Sequence, residues 1–483
     1  MAAHGNVVVC WVLPSDGQAR SRCLNIHVFA GVMPYSLKSN AARLAGFFVQ
    51  SRIREFVANA AWLTGDRVLR TAVGAVVTVL MVRQLGPEQF GTLAFCGSLL
   101  AMLGPFIGLG LELILIRELV RAAACRAELL PTVIILKLLG IAFVTAAGMA
   151  FTYLLRPDDL NSLTITAILC IGLLGQACDV FDLWFQAILH NRTAVLCRNA
   201  AFLVFAIIKI ILVIASASLI SFAAAIAGET LLAAILLCVF GLKSAGAVDF
   251  RKASAACARR LLVEAFPFIA AAFCVSAYMR ADTVLIAAIV DDTAVGIYAA
   301  AVRISEIWYL LPTAVMTSVF PFVAARTDAD DLRAVEIRTA IYGVLFWIAV
   351  CAALVFTFSS TQLISILFGP KYRDASAVLA VNSWSAIPVF LGVASSQHLV
   401  SERLSKYSLY RTFIGLVVNI ALNATLISLW GVFGAAVGTT VSYFAATYSL
   451  LLFKATRQHA ILMCTAPFKV LHFVHTTGQH GVR

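Results

Sequence analysis

From about Asn59 onward the chain is a succession of long apolar runs separated by short polar turns. No other feature constrains its fold as strongly. A run of ~20 apolar residues is long enough to cross the hydrocarbon of a bilayer, and a segment lying there must satisfy its own backbone, so each such run is read as a helix. The runs fall near 59–83, 89–116, 129–155, 162–187, 194–216, 220–242, 266–290, 294–323, 338–360, 375–399, 408–429 and 431–453, twelve in all. With 61% hydrophobic and 12% charged residues and a mean hydropathy of +0.94, the chain carries more apolar surface than one soluble core can hide.

The sparse charges orient the helices. If the N-terminus is cytoplasmic, 26 Lys and Arg lie on that side and four, Arg83, Arg156, Lys371 and Arg373, on the other. Such an asymmetry places both termini inside and supports the helix count, because one missed helix would scramble the alternation. The formal charge of +12 therefore belongs to membrane topology, and no nucleic acid is implied. Twelve cysteines include no CxxC pair and read as small hydrophobes. His472 and His475 lack a third ligand, so neither a metal nor a cofactor is expected. No phosphate-binding GxxxxGK[ST] loop is present in the sequence, which argues against direct ATP drive.

Residues 1–55 are mixed in character and read as a disordered cytoplasmic extension with no signal peptide; translation starting near Met33 is the alternative. Two halves follow, a six-helix bundle over 56–243 and a second over 266–454. A basic amphipathic linker over 244–265 would lie on the inner leaflet, and residues 455–483 form a cytoplasmic tail. The halves carry a faint repeat: Gly91 and Ala94 match Gly296 and Ala299 at an offset of 205, each pair after a turn bearing acid, Glu88 or Asp291 and Asp292. Because six is even, both halves enter the membrane in the same direction, and ligand would lie between them about an axis along the membrane normal.

Ionisable residues inside spans cost about 2.5–3.5 kcal/mol each, so they face a wet cavity or one another. At 1.5 Å per residue, Arg280 lies roughly 15 Å from the outer end of its helix and Arg303 roughly 13 Å along the next, with Lys209 at similar depth in the first half. Two readings stand. These three cations could hold a diphosphate, with Glu306 and Asp282 beside them; or they could serve packing, Arg303 with Glu306, Arg280 with Asp282 or Glu306, and Lys209 with Glu229. Asp66, Arg67 and Arg70 read as a gate or packing group near the inner face. Asp179 and Asp182, which share a helix face with Gln186, could line a sugar path, accept a coupling cation or sit at a solvated helix end.

The stretch from Met81 to Arg121 contains Leu85-Gly86-Pro87-Glu88, in which Gly86 can supply the positive φ of a helix exit and Pro87 the first position of the next helix. This stretch, together with Arg280 to Ala324, Leu367 to Ala375 (LFGPKYRDA) and Ser396 to Ala446, resembles the oligosaccharide flippases. These are the lipid-linked O-antigen or polysaccharide transporters of the multidrug/oligosaccharidyl-lipid/polysaccharide (MOP) superfamily. The similarity runs from about Asn59 to Lys454. It implies an all-α polytopic fold like that of the MATE transporters, two six-helix bundles working by alternating access, and no enzymatic step. The implied substrate is an undecaprenyl-diphosphate-linked oligosaccharide, moved across a bacterial inner membrane for O-antigen, lipopolysaccharide or exopolysaccharide synthesis. Membrane lipids, other polysaccharide-assembly membrane proteins and a coupling ion, H+ or Na+, are the implied partners. A cation-coupled multidrug exporter of the same superfamily would favour a small, mostly acidic cavity. A lipid II flippase would carry two more C-terminal helices, for which the tail after Lys454 is too short and too polar. A membrane glycosyltransferase or polymerase would need a large outer loop with catalytic acids, and the outer loops here are short.

Overall fold

The computed structural model describes residues 9–11, 22–24, 70–121, 126–309, 311–316, 332–402 and 404–480. The chain divides into two compact units, Met1–Thr71 and Ala72–Arg483. In the first, where disorder is expected, the β-prone Val9–Trp11 (β1) pairs antiparallel with Arg22–Leu24 (β2). Asp66 and Arg67 lie outside the described residues.

The second unit is helical. Its chain order begins with α1 (Arg70–Gly108), α2 (Glu112–Arg121), α3 (Arg126–Leu155), α4 (Leu160–Ala187), α5 (Asn191–Ile214) and α6 (Leu219–Ala245). It continues with α7 (Ala255–Ile289), α8 (Asp292–Ile307), α9 (Leu332–Leu367), α10 (Ala375–Val400), α11 (Ser405–Tyr448) and α12 (Arg457–His480). Among the described residues ten helical stretches are long and apolar enough to span a membrane.

Two of these stretches are interrupted by glycines in the left-handed region, Gly86 in α1 (φ 73°) and Gly431 in α11 (φ 56°). At Gly431 the chain folds back on itself, since Asn419 donates to Ser442 at 3.1 Å and Asn423 to Thr439 at 3.5 Å across the hairpin. A Cβ on Gly434 would sit 1.9 Å from the Leu426 carbonyl oxygen, so only glycine fits that close return. Capping side chains start other helices: Asp159 accepts from the amides of Asn161 and Ser162 ahead of α4, and Asp291 from that of Ala294 ahead of α8.

Three boundaries differ from the hydropathy reading. The single helix expected over 89–116 is broken where Leu109 and Gly110 both take positive φ; Gly110 there meets α7, a Cβ on it falling 2.7 Å from Cβ of Phe268. Helix α7 begins at Ala255 rather than 266, because Ser254 caps it and Leu261 and Ala265 are buried, so half of the expected linker is its first turns. The tail is a helix, α12, packed on α9 through buried Met463 and Ala466, while Ala460 packs with Leu399 and Leu450. Tyr342 on α9 meets Nε2 of His459 at 3.0 Å, and Trp347 donates to the Pro467 carbonyl. Burial pushes His459 down to about 3, so its ring packs as the neutral form.

Candidate functional site

Where the second arm of α1 crosses α8, the two backbones touch. A Cβ on Gly91 would lie 1.8 Å from the Asp292 carbonyl oxygen, and one on Gly296 1.9 Å from that of Pro87. Under the offset of 205, Gly91 corresponds to Gly296 and Pro87 to Asp292, so one contact is made twice, as around a two-fold axis. Side chains fasten the same end. Asp292 accepts from Thr92 at 2.7 Å and is paired with Arg156, whose guanidinium stacks 4.3 Å above the Phe95 ring and donates to Ser162. Burial works to raise the carboxyl of nearby Asp159, but hydrogen bonds from Ser162 and Asn161, together with Arg156, outweigh it and hold the group below the ordinary carboxylate range. Tyr372 closes the corner by donating to the Val82 carbonyl at 3.0 Å.

A cavity of about 230 Å³ lies between the halves. One wall, from the second arm of α1, is apolar and small: Phe90, Leu93, Ala94, Gly97 and Ala101, relieved only by Ser98. The facing wall, from α7 and α8, presents Arg280, Thr283, Arg303 and Glu306. Arg280 Nη1 stands 3.4 Å from Glu306 Oε1, with the side chains 33% and 24% exposed. Arg303 is exposed and, among the described residues, has no carboxylate within 4 Å of its guanidinium. The anticipated Arg303–Glu306 pair thus gives way to Arg280–Glu306, and the cavity holds two cations against one acid.

The other candidate residues lie elsewhere. Asp282 does not face the cavity: it is 4% exposed, accepts from Tyr298 and from Thr439 at 3.3 Å, and so ties α7, α8 and α11 together. Lys209 is absent from the cavity wall and meets Glu229 at 2.7 Å between α5 and α6. Asp179 and Asp182 are both paired with Arg198 on α5, at 3.2 and 2.9 Å, with the Asp179 side chain 38% exposed and that of Asp182 14%. Near them α4 tightens to a 3₁₀ turn over Leu174–Cys178, and the buried Lys137 donates to the Gln176 carbonyl at 3.3 Å. Arg70 is at the start of α1, whose first two residues, Arg70 and Thr71, fall in the first compact unit and the rest in the second. No local pattern announces the fastening by Arg156, Thr92 and Asp292; its traces in the sequence are Arg156, one of four cations opposite the main charge excess, and the acid of the turn at Asp292.

The family model for polysaccharide biosynthesis proteins matches residues 56–327, and the MatE model matches 267–425. The probable flippase AglR of Haloferax volcanii is 34% identical over 171 residues, 34% of this chain and 35% of its own. The probable low-salt glycan biosynthesis flippase Agl15 of the same organism is 28% identical over 170 residues, with the same shares. The chain thus spans about a third of the length of these curated relatives. Among solved structures, the lipid II flippase MurJ in an inward closed conformation superposes with a TM-score of 0.66 at 13% identity, covering 86% of this chain and 91% of that one. An inward-facing multidrug resistance MATE family transporter of the MOP superfamily gives 0.62 at 14%, covering 82% and 96%. The fold is therefore MATE-like, and the chain is a multi-pass membrane protein.

Proposed function

The chain belongs to the polysaccharide biosynthesis protein family, and from that premise we propose that it is a flippase. It moves undecaprenyl-diphosphate-linked oligosaccharide from the inner to the outer leaflet of a bacterial inner membrane, for O-antigen or exopolysaccharide synthesis. Read as hairpins, α1 and α11 bring the crossings to twelve, in bundles over 56–243 and 266–454, with both termini cytoplasmic and the fastened end outside. The work is alternating access; no bond is made or broken.

The observation that carries this reading is the cavity itself: two cations on one wall and a small apolar surface on the other suit a diphosphate joined to a lipid. AglR and Agl15, named as probable flippases, support the activity. Lys209, Asp282, Asp179, Asp182 and Glu229 hold helices together in this reading rather than touching substrate. The test is accumulation of labelled lipid-linked oligosaccharide on the inner leaflet of cells lacking this chain, reversed when it is restored. Unchanged distribution of the labelled lipid in both strains would overturn it.

A further inference from the structure

The two walls of the cavity occupy matching places in the repeat but carry different chemistry. Under the offset of 205, Ser98 and Ala101 correspond to Arg303 and Glu306, and Ala75 to Arg280, so among the described residues every charge in the cavity wall comes from the second half. The first half faces them with Phe90, Leu93, Ala94, Gly97 and Ala101 of α1 and with a single hydroxyl, that of Ser98. This surface is low as well as apolar: a Cβ on Gly97 would meet no atom within 4 Å.

A lipid-linked sugar diphosphate is a diester with one charge on each phosphorus, a sugar at one end and a polyprenyl chain at the other. A nucleotide-sugar carries the same two charges and the same kind of sugar. Two arginines do not tell them apart, and neither does any contact with the sugar; only the second ester differs, isoprenoid in one and ribose with a base in the other. Each polar group laid against the α1 wall without a partner would cost about tenfold in affinity, and Ser98 can serve one of them. Each methylene buried there gains about fourfold. The wall therefore suits the isoprenoid end and disfavours both a sugar and a nucleoside.

Resting on the reading of this cavity as the diphosphate site, we propose that the α1 wall seats the isoprene unit next to the diphosphate, and so selects polyprenyl diphosphates against nucleotide-sugars. Arg280 and Arg303 hold the diphosphate from the second half, and the first isoprene unit lies across Ala94, Gly97 and Ala101. The rest of the lipid and the glycan extend beyond the cavity, whose volume of about 230 Å³ does not enclose them. The three small residues determine specificity by leaving the seat free: one added carbon at Gly97 still leaves room, whereas a branched side chain would occupy the place of the isoprene unit.

The experiment is calorimetry on the full chain in lipid nanodiscs, titrated with three water-soluble diesters that share the two charges and the sugar: N-acetylglucosamine joined through diphosphate to a dimethylallyl, a methyl or a uridyl group. In wild type the dimethylallyl ligand should bind about tenfold or more tightly than the methyl one, and the uridyl ligand no more tightly than the methyl. Gly97→Leu should abolish that preference and leave binding of the methyl ligand unchanged; where it does not fold, Ala101→Leu is read in the same way. Equal binding of the dimethylallyl and methyl ligands by wild type overturns the proposal. So does tighter binding of the uridyl ligand, a preference that survives the leucine, or a leucine that weakens all three ligands alike. Each of these leaves the anion site standing when Arg280→Gln with Arg303→Gln weakens every ligand. Failure of wild type to bind any of the three, or binding indifferent to that double change, overturns the anion site and the isoprene seat with it. The ligands are ranked on wild type, so the ranking does not depend on how well any variant folds.

Discussion

Lys209–Glu229 and Arg280–Glu306 are both cation–carboxylate pairs between consecutive helices, one in each half, yet they are built differently. The first is short, 2.7 Å, with side chains 15% and 19% exposed, away from the cavity. The second is looser, 3.4 Å, more exposed, and shares its cavity wall with Arg303. Depth in the membrane does not separate them. What does is local stoichiometry and access: the first is a closed contact, which suits packing, whereas the second is an open one with a surplus base, which suits the proposed site.

The sharpest way to break this comparison is to remove charge from each pair in turn. Arg280→Gln with Arg303→Gln should lower flipping of labelled lipid-linked oligosaccharide by about 100-fold or more at normal membrane abundance, as expected when both ~2–3 kcal/mol charge-assisted contacts are lost. Lys at either position should keep part of the rate. Lys209→Met with Glu229→Leu should leave transport and abundance near wild type; loss of transport there would make the first pair a site after all. Lys209→Met alone takes the 2.7 Å cation from Glu229 and should lower folded protein, read as a several-fold fall on immunoblots of membranes.

Smaller effects are expected at the glycines. Gly296→Ala places a Cβ 1.9 Å from the Pro87 carbonyl oxygen, and should disfavour the fastened arrangement by about 1–3 kcal/mol. A single cysteine at Ser98 would then react faster with an impermeant thiol reagent from outside. Gly86→Val meets open space but sits at φ 73°, so the cost is backbone strain alone, about 1–2 kcal/mol, visible as a lower midpoint in thermal unfolding. Gly97 lines the cavity wall, and a Cβ there meets nothing within 4 Å. Gly97→Ala should change neither flipping rate nor abundance measurably.

Apolar length and turn chemistry made the helices legible in sequence, down to Gly86 and Pro87, and the faint repeat at Gly91 and Gly296 marked where the backbones meet. Residue partners were another matter. Asp282 and Thr439 are 157 positions apart, and nothing local to either announces the other. Arg303 and Glu306 share a helix face by spacing, but Arg280 competes for the same carboxylate from a neighbouring helix, and only three-dimensional packing decides the winner. The break at Leu109 and Gly110 escaped hydropathy because both residues suit an apolar run; it is the approach of Phe268 that demands the turn.

The meeting of Gly91 with Asp292 and of Gly296 with Pro87 also bears on the energy stored across the membrane. Main chain lies against main chain there, with Phe90 and Phe95 buried beside it. Each elementary charge leaking through would dissipate ~2.3 kcal/mol per 100 mV, and under the proposed function a carrier of large, wet sugars would be the kind of protein most exposed to such leaks. Two hydrogen atoms in place of two methyl groups let the two backbones approach closely enough for such a barrier.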